Sequence, residues 1–174
     1  MRRLSFAPLL AALVVGLLAL PATALADDQA VYDTANHFHA KQLKRALVKE
    51  RKAIKRMLKY KYERPRLIRK AIKSFGPVRR ILADISAAVR KRSPSSEEGA
   101  QGKRLVLKSF AAWRSALSLN AKALKQVLKG HNSRARRILD RVQAAYERSE
   151  RYIRQALARF KDAGVDTSQK RALL

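Results

Sequence analysis

Between residues 106 and 127 the side chains Val106, Phe110, Trp113, Leu117, Asn120, Leu124 and Val127 follow one another at alternating intervals of four and three. That rhythm brings every one of them to the same side of an α-helix and scatters them over both faces of a β-strand. A long helix with an apolar seam of heptad type is the expectation for this stretch. The same spacing recurs through the rest of the chain after residue 27, and strand-like alternation is almost absent, so the fold class expected is all-α.

The first helix is predicted from Asp28 to Tyr62, with Val31, Ala35, Phe38, Leu43, Leu47, Ile54, Met57 and Leu58 on its apolar line. Arg64-Pro65 ends it, because a residue before proline is pushed out of the α region, while Pro65 itself suits the first turn of the next helix. Leu67, Ile68, Ala71, Ile72 and Phe75 form the second stripe, which Val78, Ile81, Leu82, Ile85 and Val89 resume roughly in phase after Gly76-Pro77. The second helix is expected to be kinked or split there. Residues Ser93 to Gly102 read as a linker, with Ser95 and Glu98 spaced as a capping box for the third helix. Gly130 offers a C′ position, and Asn132 or Ser133 an N-cap for a fourth helix carrying Ala135, Ile138, Val142, Ala145, Tyr146, Ile153, Ala156, Leu157 and Phe160. Gly164 stops it, and residues 165–174 read as a frayed tail. Four helices of matched length joined by short turns make a single-domain, antiparallel, up-down-up-down four-helix bundle over residues 27–164. The heptad seam leaves a homodimer open.

Residues 1–26 read as an address. Arg2 and Arg3 precede an uncharged run from Leu4 to Ala26, whose densest apolar part, Leu9 to Leu20, has the length of a signal-peptide core and is short for a membrane span. Ala24 and Ala26 supply the small residues that a signal peptidase reads, so cleavage is expected between Ala26 and Asp27. An uncleaved anchor is the competing reading. Ser5 argues against a twin-arginine signal, and the absence of cysteine excludes a lipoprotein. The protein is therefore expected to be secreted or held in the cell envelope. An exported chain without cysteine must draw its stability from packing.

Charge is the strongest functional signal. The chain has 40 Lys+Arg against 13 Asp+Glu, a net charge of +27. Of 19 charged residues between Lys41 and Arg80, 17 are basic, and only Glu50 and Glu63 oppose them. Such a density repels itself unless counterions or an anionic partner offset it. The expected function is non-enzymatic binding of an anionic polymer or surface: extracellular DNA, a wall polyanion or anionic lipid headgroups. The expected charge donors are Lys41, Lys44, Arg45, Lys52, Lys55, Arg56, Lys59, Lys61, Arg64, Arg66, Arg69 and Lys70. Tyr60 and Tyr62, set among them, are candidates for stacking on bases, sugars or headgroups. No sequence-reading DNA motif is present. A membrane-active reading rests on Leu43 to Tyr62 as a cationic amphipathic helix. An envelope chaperone or structural helical protein is a third.

Nothing else points to chemistry. His37 and His39 lie two apart on a helix and cannot share a metal, and no second cluster of ligands supports Asp33 and His37, so no metal or other cofactor is expected. His131 beside Asn132 suits a turn. Glu147 and Glu150 precede Arg151 and Arg154 by four residues, the favourable order for intrahelical ion pairs. No nucleophile elbow or phosphate-cradling glycine loop appears, and no small-molecule substrate is suggested.

Overall fold

The computed structural model describes residues 26–60, 62–165 and 167, so residues 1–25, where a signal segment is expected and which include Ala24, and Lys61 lie outside the described residues. The chain forms α1 (Ala26–His37), α2 (Ala40–Lys59), α3 (Pro65–Arg90), α4 (Glu97–Leu128) and α5 (Asn132–Asp162). With α1 and α2 counted as one interrupted helix these are four, packed against each other, and there is no strand among the described residues. The α4–α5 contact is the most extensive; α2 lies on α3, α3 on α4, and α1 on both α3 and α4.

The first helix is broken where continuity was expected. His39 adopts a left-handed conformation at φ 61°, and Phe38, expected on the apolar line, is 41% exposed with its ring tilted against the imidazole of His39. Val31 and Ala35 are buried before the break, and Leu43, Ala46, Ala53 and Met57 after it. Leu58, also expected in the core, is 42% exposed.

The second helix is neither two helices nor interrupted in its apolar stripe. It runs through Pro77, with Phe75, Val78 and Leu82 buried on either side. Pro77 and Lys73 both lie on the exposed face, where the carbonyl deprived of its helical donor is not sealed from solvent.

The linker is shorter than expected because α4 starts at Glu97. Its N-cap is Ser96, whose hydroxyl accepts from the Gly99 amide at 2.9 Å, and not Ser95. The fully buried Asp28 of α1 holds this cap in place. Its carboxylate accepts from the Ser95 amide at 2.9 Å, the Ser96 amide at 3.4 Å and the Ser96 hydroxyl at 2.7 Å. Gly99 is required here, since a Cβ would overlap the Asp28 carboxylate.

The α4–α5 contact runs along small residues. Gly102, Ser109, Ala116 and Ala123 recur every seven residues on α4, and Ala135, Val142, Ser149 and Ala156 do so on α5; all eight are buried. Residues further along α4 meet residues earlier on α5. A Cβ on Gly102 would come within 3.0 Å of the Phe160 ring, the Ser109 and Ser149 hydroxyls meet at 2.9 Å, and Asn120 reaches Tyr146. Each serine also donates to the other's carbonyl at 3.0 Å. The heptad residues Val106, Phe110, Trp113 and Leu117 are buried within this same chain, and so is Tyr32, edge-on to Phe160.

Both long helices end on glycines in the left-handed region, Gly130 at φ 75° and Gly164 at φ 79°. Each closes a Schellman motif: the His131 amide donates to Gln126 and the Val165 amide to Phe160, both at 2.9 Å. Val165 is buried in the core, so the ordered bundle extends one residue into the expected tail. His131, and neither Asn132 nor Ser133, is the N-cap of α5, with no side-chain bond to the helix; its imidazole is turned to Gln126 instead.

Candidate functional site

The basic segment occupies α2, the connection after it and the first half of α3. Pro65 at the first turn of α3 makes this connection short, which brings the two charge-rich stretches to one end of a helical pair. Lys41, Lys44, Arg45, Lys52, Lys55, Arg56, Lys59, Arg64, Arg66, Arg69 and Lys70 are all exposed. None of them forms an ion pair. Among the described residues the ion pairs are Arg154–Glu150 at 2.8 Å and Arg159–Asp162 at 3.6 Å, both within α5. Glu147 accepts from Gln143 instead of pairing with Arg151.

The two candidate tyrosines divide. Tyr60 has one face covered by the Arg64 guanidinium, 3.9 Å from the ring centroid, with the Lys59 ammonium at 5.9 Å. Tyr62, left-handed at φ 66° and partly exposed, stands at the rim of a cavity, and partial burial raises the pKa of its hydroxyl.

That cavity was not foreseen. It has a volume of about 540 Å³ and lies between α2 and α5, closed by α3 and α4. Exposed Leu58, Tyr62, Asn132 and Arg136 surround its mouth; Met57, Phe75, Leu124 and Ala135 are among the buried side chains that line it. Glu50, Asn120 and Tyr146 are among the polar groups of the lining, with Glu63 and Gln143. Asn120 donates to the Tyr146 hydroxyl at 3.3 Å, which gives a physical role to the one polar residue in the heptad seam. Glu50 is 1% exposed, and neither carboxyl oxygen has a hydrogen-bond partner. Burial pushes its pKa up to about 7, against the pull of the Arg51 guanidinium. The Tyr146 hydroxyl is shifted upward too, by burial first and then by Glu50, with the Asn120 bond opposing.

Glu50 is the residue that a reading by charge alone misses. It lies in register with Leu43, Ala46, Ala53 and Met57, at three- and four-residue steps on the buried side of α2. A lone carboxylate on an apolar stripe, in a segment otherwise basic, was the available signal.

Asp33 accepts from Gln29 at 2.8 Å rather than from His37, and no group of three metal-ligating side chains occurs among the described residues. Nor is any helix among them long and apolar enough to cross a membrane. Comparison with models of known families, with curated proteins and with solved structures returned no match.

Proposed function

We propose that the protein is an exported, non-enzymatic binder of anionic polymers that works through the exposed basic surface of α2 and α3. The observation that carries this reading is the unpaired state of that surface: eleven exposed cations on α2, α3 and their connection, none in an ion pair among the described residues. Each phosphate-like group bound there would displace counterions, so affinity comes from number rather than from shape. The helices are read as an up-down-up-down antiparallel bundle, supported by the short connections and by the descending order of α5 partners along α4. Cleavage after Ala26 would leave Asp28 as the second residue of the mature chain and preserve its clamp on α4. It would also leave 148 residues with a net charge of +25.

The test is binding of residues 27–174 to labelled duplex DNA across a salt series, with anionic vesicles as competitor. A steep log–log salt slope with weak vesicle competition supports the reading. Weak binding even at low salt overturns it. One observation favours a second reading, action on membranes: α2 exposes Val48, 58% accessible, and Leu58 among its lysines, as an interfacial helix would. Efficient competition by vesicles, with leakage of their contents, would select it. A chaperone of the envelope would instead suppress client aggregation at high salt.

A further inference from the structure

A buried carboxyl with no hydrogen bond is a costly thing to keep in a helix that could carry leucine at that place. Unsatisfied buried polar atoms cost free energy, and the cost rises when the group ionises. Glu50 has two such atoms. It also lines a cavity whose volume, about 540 Å³, falls among those of small-molecule sites, roughly 300–1,000 Å³. On the same wall Asn120 donates to the Tyr146 hydroxyl. Among the described residues neither Glu50 oxygen accepts a hydrogen bond, and the lining around it is mostly apolar.

We propose that the cavity between α2 and α5 binds an amphiphilic amine, with its hydrocarbon body against Met57, Phe75 and Leu124 and its ammonium group on the Glu50 carboxylate. An ammonium supplies up to three donors and a compensating charge. An alcohol supplies one donor without charge, and a carboxylate supplies none. The charged or titratable groups around the cavity are Glu50 and its neighbour Arg51 on α2, Tyr62 and Glu63 in the connection, and Arg136 and Tyr146 on α5; α3 and α4 contribute Phe75, Asn120, Leu124 and Val127, which carry no charge. Where Glu50 is protonated before binding, an ammonium ligand releases one proton to solvent and the carboxylate remains paired with it. This inference does not rest on polyanion binding. The basic exterior repels a cation, so salt should leave amine binding unchanged or strengthen it, the opposite of its effect on DNA.

The experiment is calorimetric titration of residues 27–174 with decylamine, decanol and decanoate at pH 7.5 and 0.5 M NaCl, below their aggregation limits. The expected result is decylamine binding at least tenfold more tightly than decanol, with decanoate weakest. Glu50→Gln should bring decylamine to the level of decanol, while helical circular dichroism reports that the variant is folded. Leu139→Trp, which narrows the cavity and retains the acid, should weaken both ligands. Equal binding of amine and alcohol, tightest binding of decanoate, or an undiminished preference in Glu50→Gln would each overturn the proposal.

Discussion

Helix α5 has two neighbours built on opposite rules. Against α4 it presents Ala135, Val142, Ser149 and Ala156, side chains small enough for close approach, and the hydroxyls among them are paired by the reciprocal Ser109–Ser149 bonds. Towards α2 it borders a cavity that contains an acid with no partner, and no comparably extended contact joins those two helices. One side of the bundle is closed and satisfied. The other is open, electrostatically unfinished and carries most of the uncompensated positive charge. The most extensive packing thus lies between α4 and α5, and the densest exposed charge on α2 and α3.

Overpacking should separate the two faces most sharply. Ala116→Leu forces a branched side chain into the closed contact and should cost about 3 kcal/mol, read as a lower denaturation midpoint in urea. Leu139→Phe, at the cavity, should cost less than about 1 kcal/mol. Equal costs would mean that the cavity is as tightly packed as the seam.

Glu50→Leu should come next, and with the opposite sign. The folded-state pKa of about 7 lies above the ordinary 4.5 of this group. Protons are therefore held more tightly by the native state, and stability from this residue is greatest below pH 4.5. It falls as the pH rises to 7 and then levels off, about 3 kcal/mol lower. The leucine variant should abolish that slope and be the more stable form at pH 8 by about 2–3 kcal/mol, measured by denaturation at a series of pH values. An unchanged slope would mean that Glu50 is solvated in the native state.

Asp28→Ala removes three hydrogen bonds and leaves the Ser95 and Ser96 amides without this acceptor, for an expected loss of about 2 kcal/mol in thermal or urea denaturation. The smallest effect is expected within the closed contact itself. Ser149→Ala removes a hydroxyl, but the Ser109 hydroxyl keeps its bond to the 149 carbonyl, so the loss should be about 1 kcal/mol.

The difference between these faces also governs how much could be read from sequence. The seam from Val106 to Val127, the proline start of α3 and the glycine ends of α4 and α5 are local patterns, and each is where it was expected. The break at His39 has no such local pattern, since Val31, Ala35, Leu43, Ala46, Ala53 and Met57 would share one face, roughly 120° wide, of an uninterrupted helix. The ladder of small residues carries almost no hydropathy signal, although its period is seven. The Asp28–Ser96 clamp joins residues 68 apart, and no local pattern encodes such a contact. Glu50 was hidden by its surroundings: among so many charged neighbours it reads as one more surface residue until its register with Leu43, Ala46, Ala53 and Met57 is considered.

The most direct measurement of the central claim compares two variants of equal charge. In one, Lys52, Lys55, Lys59, Arg66 and Arg69 on α2 and α3 become glutamine; in the other, Arg134, Arg137, Arg141, Arg148 and Arg151 on α5 do. Affinity for duplex DNA is then followed against salt concentration. If α2 and α3 form the binding surface, the first variant loses about four from the log–log slope, and the second retains most of the native slope. Equal losses in the two would contradict a binding surface on α2 and α3 and make the charge a property of the whole exterior.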